Sequence, residues 1–157
     1  MKTWLAMAMF LAGICAWGRN PSAASTANDD VSGMYAFLHE GESLQLNLDH
    51  GRVSGFVTTF GWLESDKDTL LDRFFDKASL QGDQVHITTK PVHGSWLEFT
   101  GTIERGDGKT RAQEGYYRLV GTLTQYTTDE EKNLTAQERA VDLKSFPDEA
   151  FAGSESK

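Results

Sequence analysis

The sequence predicts an all-β domain: an eight-stranded antiparallel barrel of up-and-down topology, or a strongly curled sheet. Apolar and polar residues alternate one for one between Gly33 and Phe146. Glycine-bearing turns break the alternating runs, and most of the connections are short. A period of two sends successive side chains to opposite faces of a strand. Short connections between consecutive strands make them antiparallel neighbours.

The clearest run is Ser43–Asp49, where Leu44, Leu46 and Leu48 alternate with Gln45, Asn47 and Asp49. The remaining strands are expected at Gly33–Leu38, Arg52–Phe60, Phe74–Gln81, Gln84–Lys90, Trp96–Arg105, Tyr116–Tyr126 and Arg139–Phe146. Between them stand Glu40-Gly41, His50-Gly51, Gly82-Asp83, His93-Gly94 and Gly106-Asp107-Gly108. Glycine takes the positive φ of tight hairpins without steric cost, and Asp and Asn tolerate it. Two connections are longer. Gly61–Arg73 and the acidic Thr127–Gln137 could each hold a short helix, the second capped by Thr128 or Asp129. Thr135–Leu143 suits a helix as well as a strand.

The fold is expected to occupy residues 33–147, after an unstructured lead-in over 25–32 and before an unstructured tail over 148–157. Residues 1–24 read as a secretory signal. Lys2 makes the start positive, Trp4–Trp17 is an uncharged apolar run, and Ser22-Ala23-Ala24 offers small residues for cleavage. That run is shorter than the roughly 20 residues a membrane span needs. Leu11-Ala12-Gly13-Ile14-Cys15 resembles a lipid-attachment box, but β-branched Ile14 stands where a small residue belongs, so Cys15 reads as part of the apolar run. The expected location is periplasmic or extracellular.

Cleavage leaves no cysteine, which excludes disulfides, thiol chemistry and cysteine-ligated zinc. Roughly 130 residues suffice for one domain with its own core. Removing Lys2 and Arg19 leaves 13 basic against 23 acidic residues. Such an acidic chain repels phosphate, so nucleic acid is not an expected partner. The short strands and the charge favour a barrel in water over one in a membrane.

In pattern, the arrangement is similar to the calycin architecture of lipocalins and avidins. Gly33-Met34-Tyr35 stands where lipocalins often carry Gly-x-Trp, and this chain departs from them with Tyr35. The resemblance is one of architecture alone.

Catalytic motifs are mostly missing: there is no Gly-x-Ser-x-Gly elbow, no phosphate-binding glycine loop and no His-Glu-x-x-His. Asp66-Lys67-Asp68 begins like a calcium loop but continues into Leu70 and Leu71, where oxygen ligands and glycine are required. No cofactor is implied. Topology is more informative. In an eight-stranded meander, alternate turns share an end, so His39–Glu42, Gly61–Arg73, Pro91–Ser95 and Thr127–Gln137 gather at a first rim. Asp49–Arg52, Gln81–Gln84 and Gly106–Glu114 gather at a second.

The first rim collects His39, Glu42, Trp62, His93 and Trp96, with Tyr117 as a candidate inward-facing residue. One reading makes these the binding site for a small apolar or aromatic ligand at the barrel mouth. A second has the histidines and carboxylates hold a divalent metal. The plainer alternative makes the histidines turn residues and the tryptophans core. Three function classes follow: a ligand-binding protein, a protein-interaction module or inhibitor with a filled barrel, and a small enzyme using His39, Glu42 or His93 as acid and base. A filled interior with an apolar patch outside favours the second. The third requires two of those side chains within hydrogen-bond reach beside a cavity.

Overall fold

The structure is a computed structural model, and it describes residues 30–62, 64 and 66–148. The candidate signal at 1–24 and most of the expected flanks lie outside those residues. Eight strands run in chain order: β1 (Gly33–Ala36), β2 (Ser43–Asp49), β3 (Arg52–Phe60), β4 (Leu70–Gln81), β5 (Gln84–Thr89), β6 (Ser95–Arg105), β7 (Tyr117–Thr128) and β8 (Leu134–Lys144). Each pairs antiparallel with its neighbours in sequence, giving one sheet of order β1 to β8. The sheet curls strongly into a half-barrel. Its two ends touch at a single bridge, Tyr35 to Ser145, and the Phe146 N–H donates to the Met34 carbonyl at 2.8 Å.

Alternation places Leu44 and Leu46 on the concave side, with Val53, Val57, Val85, Ile87, Leu97, Phe99, Ile103, Leu119, Leu123 and Leu143. Burying each such side chain contributes about 1.5–3 kcal/mol relative to leaving it in water. Together they fill the hollow of the curl. Beside Tyr35 and Tyr117 the space left is about 10 Å³, room for about one water.

Two expectations are corrected. No helix occurs among the described residues, those of the two long connections included. β4 starts at Leu70, four residues before the expected start, because Leu70–Phe74 zips against Phe56–Phe60. β8 starts at Leu134 and stops at Lys144, paired with β7 from Leu134 opposite Thr128 to Lys144 opposite Arg118. Backbone pairing to a neighbour, which local helix propensity cannot supply, settles both segments as strand.

The flanks are better tied than the composition suggests. Val31 is fully buried, its carbonyl accepts from the Tyr35 hydroxyl at 2.7 Å, and the Ser32 hydroxyl accepts from the Leu48 N–H at 2.8 Å. Arg111 donates to the Asp148 carboxylate at 2.6 Å and to the Ser32 carbonyl at 2.8 Å, and also reaches the Asp30 carbonyl. One guanidinium thus holds both ends of the described chain at the second rim.

Candidate functional site

At the first rim the turns do meet. The His93-Gly94 turn joining Val92 to Ser95 has positive φ at both central residues, the geometry of a tight two-residue hairpin. It carries the His93 ring to the 61–69 connection, where Nδ1 lies 2.8 Å from Asp66 Oδ2. The Thr128 N–H donates to the Gly94 carbonyl at 2.8 Å. Glu42 is buried, and its two oxygens accept from the backbone N–H groups of His39 and Phe60, both at 3.1 Å.

Under this rim lies a group the sequence reading overlooked. Arg73 points into the concave side and is only 1% exposed. Its Nε donates to Thr59 Oγ1 at 3.2 Å, and Nη1 donates to the Ser95 carbonyl at 3.0 Å and to Ser95 Oγ at 3.1 Å. The guanidinium carbon sits 3.9 Å from the centroid of the Trp62 ring. Burial lowers the Arg73 pKa, and the nearby charge of Asp66 opposes that shift. A buried cation needs such partners, since an unpaired one is very costly to desolvate.

The rim residues therefore divide. Glu42 serves backbone amides, His93 pairs with Asp66, and Trp62 lies on Arg73. His39 is exposed, and Glu42 reaches its backbone N–H rather than its ring. Trp96 is on the convex face, stacked on Tyr126 with centroids 5.0 Å apart and planes 12° apart, because its neighbour Leu97 takes the inward position. Tyr117 does face inward, as parity predicts, but at the second rim, since it begins β7 rather than ending it. It meets Tyr116 edge-on at 4.8 Å. Among the described residues no three His, Cys, Asp or Glu side chains group as metal ligands would. At this rim the imidazole–carboxylate pair is His93 with Asp66, not two of His39, Glu42 and His93.

A second feature lies where β3 and β4 part. They pair from Phe56 opposite Phe74 to Phe60 opposite Leu70, and then β4 shifts register between Phe75 and Lys77. Beyond that irregularity β4 follows β5, while Arg52–Gly55 follow β2. The fork opens a groove of about 420 Å³, lined by Val53, Gly55, Phe56, Phe74, Phe75 and Ala78, with Asp76 and Lys90 adding charge. Phe56 and Phe74 pack at 5.6 Å and 51°, and Phe74 is 55% exposed. Adjacent phenylalanines on a strand must face opposite ways. Phe75 turns to the core and Phe74 to solvent.

Comparison with protein-family models, with curated proteins and with solved structures found no match to this chain. Chemistry at the two features must carry the functional reading. The hydrogen bonds of Arg73 all end within the fold, so the first rim acts as an internal polar lock. The fork presents apolar surface and strand edges outward. Its signal in the sequence was Phe56 with the Phe74-Phe75 doublet, since one ring of a doublet must leave the core.

Proposed function

We propose that this chain is an exported, non-enzymatic interaction module that takes an extended apolar segment of another polypeptide into the fork between β3 and β4. The observation that carries this reading is the parting of the two strands. On the groove side, Arg52–Gly55 and Lys77–Gln81 have no strand partner among the described residues. Backbone groups along such edges pair readily with an incoming strand, and apolar pockets beside them select side chains. The filled concave side and the exposed Phe74 ring support it. Export rests on the layout of residues 1–24. No helix among the described residues is long and apolar enough to cross a membrane.

A small apolar or aromatic ligand in the same groove is the second reading, favoured by a volume within the range of small-molecule sites. One experiment separates them. A photo-crosslinking residue replaces Phe56, and the protein is irradiated in the cells that make it. A polypeptide adduct that disappears with Phe74→Ser supports the module. A stoichiometric small mass in native mass spectrometry, also lost with Phe74→Ser, supports the ligand. Finding neither would sink both readings.

A further inference from the structure

β8 is the long edge of the sheet. From Leu134 to Ala140 every residue is exposed, and Leu134 itself is 59% exposed. β7 runs along one side of this segment in an unbroken register. On the other side β1 reaches the β8 arm only at Ser145, so Leu134–Ala140 has no strand beside it among the described residues. Natural edges are blunted by proline, bulges, lysines or short length. This stretch has no proline, no lysine and no bulge against β7, and its charges are Glu138 and Arg139, adjacent and of opposite sign.

We infer that this edge is an isologous contact, where β8 of one copy pairs antiparallel with β8 of a second about a two-fold axis at Gln137. The axis stands perpendicular to the sheet, so residues of equal parity meet on the same face. The midpoint of Leu134–Ala140 is Gln137, an uncharged side chain that can hydrogen-bond to its own copy. In this register Ala136 meets Glu138, Thr135 meets Arg139, and Leu134 meets Ala140. No like charges stand directly opposite each other. Moving the axis to Glu138 or Arg139 would set a charge against its own copy, which is destabilising. The charge pattern therefore selects Gln137 over Glu138 and Arg139.

Face by face the contact is also consistent. Leu143 and Val141 pack with the core, so odd-numbered residues of β8 take the concave side and even-numbered ones the convex side. The convex strip formed by the stacked Trp96 and Tyr126 continues into Ala136, which pairs with Tyr126, and ends at exposed Leu134. Pairing two copies shelters Leu134 against Ala140 of the other copy. Two half-barrels then share one continuous sixteen-stranded sheet. This inference is independent of what occupies the fork.

The test uses charge at the axis. Sedimentation velocity of the purified chain over a wide concentration range is expected to show a dimer in reversible exchange with monomer. Gln137→Lys and Gln137→Glu are each expected to raise the dimer dissociation constant roughly fivefold, through like charges placed opposite each other. An equimolar mixture of the two variants is expected to recover the dimer. Because residue 137 is exposed in the monomer, circular dichroism should show both variants folded. As a positional check, Gln137→Cys is expected to form a symmetric disulfide on mild oxidation, since opposed antiparallel residues lie about 4.5–5.5 Å apart at Cα, within disulfide reach. A chain that stays monomeric overturns the inference. So does a dimer indifferent to both charges, or a mixture that fails to recover it.

Discussion

The Phe75 ring closes over the backbone of Gly55, with Cε2 only 2.9 Å from the point where a β-carbon would stand. The Gln45 carbonyl oxygen is 1.9 Å from the same point, and Gly55 has φ of 153°. This contact sits at the crotch of the fork, where β3 leaves β4. Gly55→Ala is expected to lose about 1–3 kcal/mol of stability, since the new methyl must displace backbone as well as a ring. Urea denaturation checks it. An unchanged midpoint would mean that β3 can slide away from β2 at little cost.

Arg73 makes the opposite kind of prediction, one of charge and shape. Arg73→Met leaves the Thr59 hydroxyl and the Ser95 carbonyl without their buried donor and removes the cation from the Trp62 face. The expected loss is about 1–3 kcal/mol, the cost of leaving buried polar groups without their partner. Arg73→Lys keeps the charge but not the planar fork or the stacking, and should fall between the two. Tryptophan emission should change with both, because Trp62 loses its guanidinium.

Tyr35 gives the pH dependence. Its hydroxyl is buried, and burial, reinforced by the nearby Tyr117, raises its pKa well above the ordinary phenol value. The folded state therefore keeps the proton when the unfolded chain loses it, near pH 10. Its contribution is fully present below that pH and is lost as the pH rises further. Tyr35→Phe should cost about 1 kcal/mol at neutral pH through loss of the 2.7 Å bond to the Val31 carbonyl, and should flatten the alkaline decline. Thermal midpoints at pH 7 and above pH 10 measure both effects.

Phe74→Ser should barely affect stability, staying within about 0.5–1 kcal/mol, since more than half of the ring already lies in water. Its effect should appear in binding alone. A large drop in the denaturation midpoint would instead make Phe74 a structural residue.

The strands were legible because one face of each is dry. Leu44 and Leu46, Val85 and Ile87, and Leu97 and Phe99 announce themselves by parity, and all are buried. Legibility failed where that polarity is inverted or absent. At the start of β4, Leu70 is half-exposed while Arg73 is buried, so the hydropathy of Leu70–Arg73 points the wrong way. The early part of β8 is exposed on both faces, leaving no amphipathic signal. At the first rim, grouping the turns anticipated the meeting of His93 with the 61–69 connection, although Asp66 was not singled out as its partner. Trp96 was assigned by its end of the strand rather than by its face, although Leu97 and Phe99 already reserved the inside. Of the fork, local pattern carries only the outward ring of the Phe74-Phe75 doublet, because the parting itself depends on where β4 changes partners.

A sheet in which every strand lies beside its sequence neighbours can assemble hairpin by hairpin, without waiting for distant segments to find each other. The Tyr35–Ser145 seam is the exception, joining residues at nearly opposite ends of the described chain. Closing it is expected to come late on the folding path, after the hairpins are in place. Substitutions at the seam should then quicken unfolding and leave refolding nearly untouched, a split that stopped-flow chevrons of Phe146→Pro, which lacks the N–H that donates to the Met34 carbonyl, would reveal. The single bridge thus serves as a latch on the lifetime of the folded state, rather than as a guide for reaching it.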